Sequence, residues 1–223
     1  MTALETTAQR KSIKQYVHQR FTTANGLPQN GADDILQTRN GYLWFATQEG
    51  VARFDGVAFT VFDKTNTPAL PNSWIVALME DSTGGIWSVS QGVGAGIVRH
   101  ANGSARLFTT ADGLGGNSVL SLAAGPDGTV WLGTDRGLTE WKGNFLRTYR
   151  KGEGLPGDTV FALGLDSKGT LWISTPHGLA RLHGNTIERI RVPGIRDSIF
   201  TPFNGGMNIF EDSRGTLWLS GRG

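Results

Sequence analysis

Short runs in which apolar and polar residues alternate recur along the chain, and no stretch holds an apolar residue at every third or fourth position. The runs are Ala32 to Gln37, Ile75 to Asp81, Val119 to Ala123, Val160 to Asp166 and Met207 to Asp212, each ending in an acidic or polar turn. A period of two puts alternate side chains on opposite faces and predicts strands with a buried face. After each run come a glycine, any residue, an aliphatic residue and tryptophan. The matches are Gly41-Tyr42-Leu43-Trp44, Gly84-Gly85-Ile86-Trp87, Gly128-Thr129-Val130-Trp131, Gly169-Thr170-Leu171-Trp172 and Gly215-Thr216-Leu217-Trp218. The tryptophans are spaced by 43, 44, 41 and 46 residues.

The repeat continues downstream. A glycine and an aliphatic residue (Gly50-Val51, Gly96-Ile97, Gly137-Leu138, Gly178-Leu179) open a third strand, as in Val51 to Phe54 and Leu138 to Trp141. A tight turn then leads to a fourth, as in Phe59 to Phe62 and Phe145 to Tyr149. The turns Asp55-Gly56, Asn102-Gly103, Lys142-Gly143-Asn144 and His183-Gly184-Asn185 supply the positive φ that tight hairpins need. A four-strand unit of about 43 residues predicts an all-β chain, a β-propeller with four-stranded antiparallel blades. The boundaries are a flexible tail at 1–15, then blades at 16–62, 63–108, 109–149 and 150–190, and a partial fifth at 191–223. Trp44, Trp87, Trp131, Trp172 and Trp218 are structural, packing between neighbouring blades. Tyr16 to Phe21 resembles the fourth strand Phe59 to Phe62 and is expected to be an outer strand that locks the ring. With the third strand of the fifth unit missing, the chain reads as part of a longer polypeptide with an incomplete ring.

Composition agrees and removes several chemistries. Glycine numbers 32, charged residues make up only 18% and cysteine is absent, so tight turns are plentiful and disulfides or thiolate zinc sites are excluded. Lys plus Arg is 21 and Asp plus Glu 19, a net charge of +2. Arg10, Lys11 and Lys14 form the densest basic group and sit in the tail, so no basic face for nucleic acid is predicted. No apolar run is long enough to span a membrane, and Met1 to Lys14 lacks a signal-peptide core.

Read together, Gly26-Leu27-Pro28-Gln29-Asn30, Gly41-Tyr42-Leu43-Trp44 and Gly50-Val51-Ala52-Arg53-Phe54-Asp55-Gly56 resemble the two-component regulator propeller repeat, and the resemblance runs over about residues 16 to 220. Single units drift: Leu70-Pro71-Asn72 lacks the first glycine, Gly113-Leu114-Gly115-Gly116-Asn117 the proline, and Gly154-Leu155-Pro156-Gly157-Asp158 has Asp for Asn. The resemblance implies the extracytoplasmic, periplasmic sensor region of a bacterial inner-membrane receptor. Such regions usually have seven blades per ring. They are followed by a membrane helix and an output module, a histidine kinase or a diguanylate cyclase, absent from this chain. The implied partners are a small molecule or glycan fragment and the downstream signalling domains of the same polypeptide, with homodimerisation open.

In an antiparallel meander, the loop entering a blade and the loop between its second and third strands share one face of the disc. That face is the candidate binding surface, ringed by Asn30, Gln48, Glu49, Asn72, Gln91, Asn117, Asp135, Arg136, Asp158 and His177. Asn30, Asn72, Asn117 and Asp158 recur in register and also fit turn capping. Glu49, Arg136 and His177 do not recur and are the stronger functional candidates. His18, His100, His177 and His183 form no metal-ligand spacing, and no nucleophile elbow occurs. Gly92-Val93-Gly94-Ala95-Gly96 lies in a hairpin with no helix after it, which rejects a dinucleotide fingerprint. No metal, cofactor or catalytic residue is therefore expected. The leading reading is a non-catalytic sensor; the alternatives are a propeller lyase or hydrolase acting at the central funnel, or a protein-interaction scaffold.

Overall fold

The computed structural model describes residues 15–92, 94–143, 145–191 and 209–220. Arg10, Lys11, Lys14, Val93, Asn144 and Met207 of the sequence reading lie outside these residues. The alternating runs become strands, and consecutive strands pair antiparallel because tight turns join them. The first sheet holds β1 (Asp34–Gln37), β2 (Leu43–Thr47), β3 (Gly50–Phe54) and β4 (Phe59–Phe62). The second holds β5 (Ile75–Glu80), β6 (Ile86–Ser90), β7 (Ile97–Ala101) and β8 (Ser104–Phe108). The third holds β9 (Val119–Ala124), β10 (Val130–Thr134), β11 (Gly137–Lys142) and β12 (Phe145–Tyr149). The fourth holds β13 (Ala162–Leu165), β14 (Leu171–Thr175), β15 (Gly178–His183) and β16 (Thr186–Ile190). Then β17 (Ile209–Glu211) and β18 (Leu217–Leu219) pair as the start of a fifth. The first strands β1, β5, β9, β13 and β17 pack against one another in series, which makes them the inner strands of a β-propeller. No α-helix occurs among the described residues.

The core lies between blades. Each apolar cluster joins two consecutive sheets: Trp44 with Ile86 and Val98, Trp87 with Val130 and Trp141, Trp131 with Leu171 and Leu182, and Ala162 with Ile209. The repeated tryptophan stacks on the last strand of its own blade and meets the third strand of the next. Trp44 lies 5.6 Å from Phe62 and 6.3 Å from His100. Trp87 lies 5.4 Å from Phe108 and 5.1 Å from Trp141. One blade leaves both sheet faces wet, so the stacking of aromatic faces between blades supplies most of the burial. Trp218, in the sheet with two described strands, is 61% exposed.

Gly50 shows why a glycine opens the third strand. Its φ is +126°, and a Cβ there would come within 2.4 Å of the Phe62 carbonyl oxygen. The Asn102-Gly103 pair, within a sequence that also fits a glycosylation acceptor, is the β7–β8 turn, with φ of 52° and 73°.

One expectation is corrected. Tyr16 to Phe21 forms no strand. An outer strand exists only through hydrogen bonds to the third strand of the blade it completes, and each third strand among the described residues already pairs with the fourth strand of its own blade. The segment is held instead by Phe21, whose ring sits 4.8 Å from Phe54 and 5.4 Å from Phe59.

Candidate functional site

The two predicted loop sets are laced together on one face. Gln29 Nε2 donates to Gln48 Oε1 at 3.3 Å, and Asn72 Nδ2 donates to the Gln91 carbonyl at 2.9 Å. The Asp135 amide donates to the Ser118 carbonyl at 3.0 Å, and Thr159 Oγ1 to the Asp135 carbonyl at 3.2 Å. Arg150 donates to the carbonyls of Arg136 and Gly115, and Arg189 to the carbonyl of His177. These bonds fix the loops to the rigid strands beneath them.

The recurring polar residues serve the turns that enter the blades. Three of these loops carry a single 3-10 turn, Thr23–Asn25, Thr110–Asp112 and Lys151–Glu153. The side-chain oxygens of Asn30, Asn117 and Asp158 accept from the amides of Thr23, Thr110 and Lys151, seven residues earlier in each case. Such a bond satisfies an amide that the short helix leaves free. Asn72 differs because its loop runs through an Asp63–Asn66 turn instead, and its Oδ1 accepts from the Trp74 amide.

Glu49, Gln48, Gln91, Arg136 and His177 remain exposed on this face. Arg136 Nε stands 4.0 Å from Asp135 Oδ2, a loose pair in water. The other Asp135 oxygen is enclosed without a partner and faces Gly116, where a Cβ would approach within 2.0 Å. Sequence reasoning missed Trp74. Its indole is 44% exposed just before β5, its carbonyl accepts from the Gln91 amide, and its Nε1 donates to Asp33 Oδ2 of the preceding blade at 2.8 Å. An exposed ring pinned by a hydrogen bond is a ready stacking surface. The signal in the sequence was a tryptophan outside the repeat register. No group of three metal-ligating side chains occurs among the described residues.

A second feature lies between the first two blades, at the end where the β1–β2 and β7–β8 turns sit. A cleft of about 490 Å³ is walled by Tyr42, Trp44, Phe62 and His100. His100 is buried, its Nε2 lies 2.9 Å from Ser88 Oγ, and burial pushes its pKa down to about 4. The imidazole is therefore neutral in the folded protein near pH 7. A depressed histidine pKa favours the unfolded chain as it takes up protons below its ordinary value of 6.5. Between pH 6.5 and 5, the wild type is expected to lose about 2 kcal/mol of stability that a His100→Gln variant does not lose. Denaturant melts across that interval check it.

Comparisons with known proteins agree with this architecture. Residues 26–49, 113–136 and 154–177 match the model of the two component regulator propeller, each stretch running from the entering loop to the loop after the second strand. No curated protein matches the sequence. The extracellular domain of a hybrid two component system of B. thetaiotaomicron superposes with a TM-score of 0.67 at 23% identity, covering 88% of this chain and 26% of that one. A second such domain from the same organism gives 0.61 at 23% identity, covering 84% and 26%. Virginiamycin B lyase from Staphylococcus aureus gives 0.63 at 17% identity, covering 83% and 61%. The chain thus spans about a quarter of the length of the B. thetaiotaomicron domains, and at these identities the likeness is one of fold.

Proposed function

We propose that this chain, three stretches of which match the two component regulator propeller, is the ligand-sensing part of a bacterial membrane signalling receptor. It acts without catalysis of its own and passes its state to domains elsewhere in the same polypeptide. On this reading the propeller lies on the extracytoplasmic side of the inner membrane, and the ligand is a small molecule or glycan fragment. The observation that carries the binding surface is the laced face, where exposed Glu49, Arg136 and His177 stand on the same side as the pinned ring of Trp74. Charged side chains on fixed loops beside an aromatic plane suit a polar ring-shaped ligand.

Titration with a panel of short neutral and acidic oligosaccharides, read by calorimetry, tests this. Trp74→Ala is expected to weaken the best binder about tenfold, close to 1.4 kcal/mol. Glu49→Ala combined with Arg136→Ala is expected to weaken it further. An unchanged titration in both variants removes this face as the site. Measurable turnover of any bound sugar would favour an enzyme instead.

A further inference from the structure

The position opposite the repeated tryptophan on the third strand carries Arg53, Arg99, Glu140 and Arg181 in the four complete blades. In the second blade, Arg99 Nε donates to Asp81 Oδ2 at 2.7 Å. Asp81 stands six residues before Trp87 and is the acidic residue of the β5–β6 turn. The same place in the first blade is Thr38, six residues before Trp44. The third blade has neither partner of the pair, with Gly125 at the turn and Glu140 in place of the arginine, and in the fourth Asp166 keeps the turn position while Arg181 pairs with Glu188. Only the first blade keeps the arginine without a carboxylate in ion-pair contact, Asp55 acting on it through charge alone.

The consequences show in the contacts. Among the described residues, Arg53 forms no ion pair, and its Nε is enclosed without a hydrogen-bond partner. Its guanidinium lies 4.8 Å from the Tyr42 ring and 6.0 Å from the Trp44 ring. Asp55, two residues along, spends its carboxylate on the amides of Val57 and Ala58. Thr38 Oγ1 is likewise engaged, with Asn40 Oδ1 and the Tyr42 carbonyl. Arg53, which has no ion pair among the described residues, lines the cleft between the first two blades together with Tyr42, Trp44 and Phe62. The volume of about 490 Å³ falls among cavities that hold small organic ligands.

We propose that this cleft binds a small organic carboxylate, the ligand giving Arg53 the carboxylate that Asp81 gives Arg99. A carboxylate matches the planar fork of a guanidinium, which binds it through two parallel hydrogen bonds. The aromatic walls favour a ring or other flat apolar body attached to it. The site is separate from the laced face and does not depend on how that face is used.

Benzoate and phenylacetate, against benzamide and phenylacetamide, are suitable probes, followed by calorimetry and by the fluorescence of the intact chain. The carboxylates are expected to bind and the amides to bind at least tenfold more weakly. Arg53→Gln is expected to reduce carboxylate affinity about 10- to 100-fold, as loss of a charge-assisted bidentate pair does. Thr38→Asp restores within the chain the partner seen in the second blade. It is expected to raise the melting temperature and to abolish carboxylate binding, and it keeps the proposal testable if Arg53→Gln unfolds. No carboxylate binding at millimolar concentration, equal binding of acids and amides, or affinity and melting unchanged in Thr38→Asp would each overturn it. Sulfate competing as well as benzoate would mark a general anion site and would also refute the assignment.

Discussion

Replacing Trp87 by alanine is expected to lower the unfolding free energy by about 4 kcal/mol, as burial and cavity costs for a large aromatic imply. Trp87 is 0% exposed, and its ring is held by Phe108 of its own blade and Trp141 of the next. Its Nε1 also donates to Asp81 Oδ2 at 2.9 Å. Alanine removes an aromatic layer at the interface between two blades and takes one of the two donors from Asp81 Oδ2, which Arg99 Nε still serves. Trp87→Phe keeps the apolar layer and loses the hydrogen bond, so it should cost about 1 to 2 kcal/mol. Trp218→Ala removes the same residue type with the same bond to an aspartate, Asp212, but from an exposed position, and should cost well under half as much. Denaturant melts of the three variants check the order. Equal losses for Trp87→Ala and Trp218→Ala would mean that the interface between blades is not the core.

Much of this arrangement is legible in the residues. The spacing of Trp44, Trp87, Trp131 and Trp172 fixes the blades, because a tryptophan that must lie between sheets recurs once per sheet. The β1–β4 boundaries follow from alternation and from turn pairs such as Asp55-Gly56. Tyr16 to Phe21 is misread because alternation reports which residues can face a core, whereas a strand also needs a free edge to pair with. Asn30 and Asn117 are legible as turn residues by recurrence, but their acceptor role across seven residues depends on a 3-10 turn with no strong sequence signal. Trp74 and Arg53 were hidden for opposite reasons. Trp74 stands outside the repeat, so recurrence carries no information about it. Arg53 stands inside it, and its singularity appears only once Arg99 and Asp81 are seen to touch. Repeats make shared structure easy to read and make departures informative, provided the contacts of the regular copies are known.

Asp81→Ala is expected to be as damaging as the loss of the tryptophan, about 3 to 5 kcal/mol, because it strands a partly buried cation. The Asp81 side chain is 1% exposed and Arg99 19% exposed. Its two oxygens accept from Arg99 Nε, Trp87 Nε1, Thr83 Oγ1 and the amides of Thr83 and Gly85. Burial by itself would raise the carboxyl pKa, yet the bonds from Arg99, Thr83, Trp87 and Gly85 outweigh it and hold the group at about 2. A lowered carboxylate pKa contributes stability that is complete above the ordinary value of 3.8 and is lost as pH falls from there through about 2. That interval carries about 2 kcal/mol in the wild type. The Asp81→Ala variant should lack this acid-dependent component while being less stable at every pH above it. Removing the stranded cation as well, in an Asp81→Ala, Arg99→Leu double variant, should recover part of the loss, since the penalty comes from the unpaired charge more than from the absent bond. If the double variant were no more stable than Asp81→Ala alone, the arginine would not need its carboxylate, and the reasoning that makes Arg53 an acceptor of foreign carboxylates would fail with it.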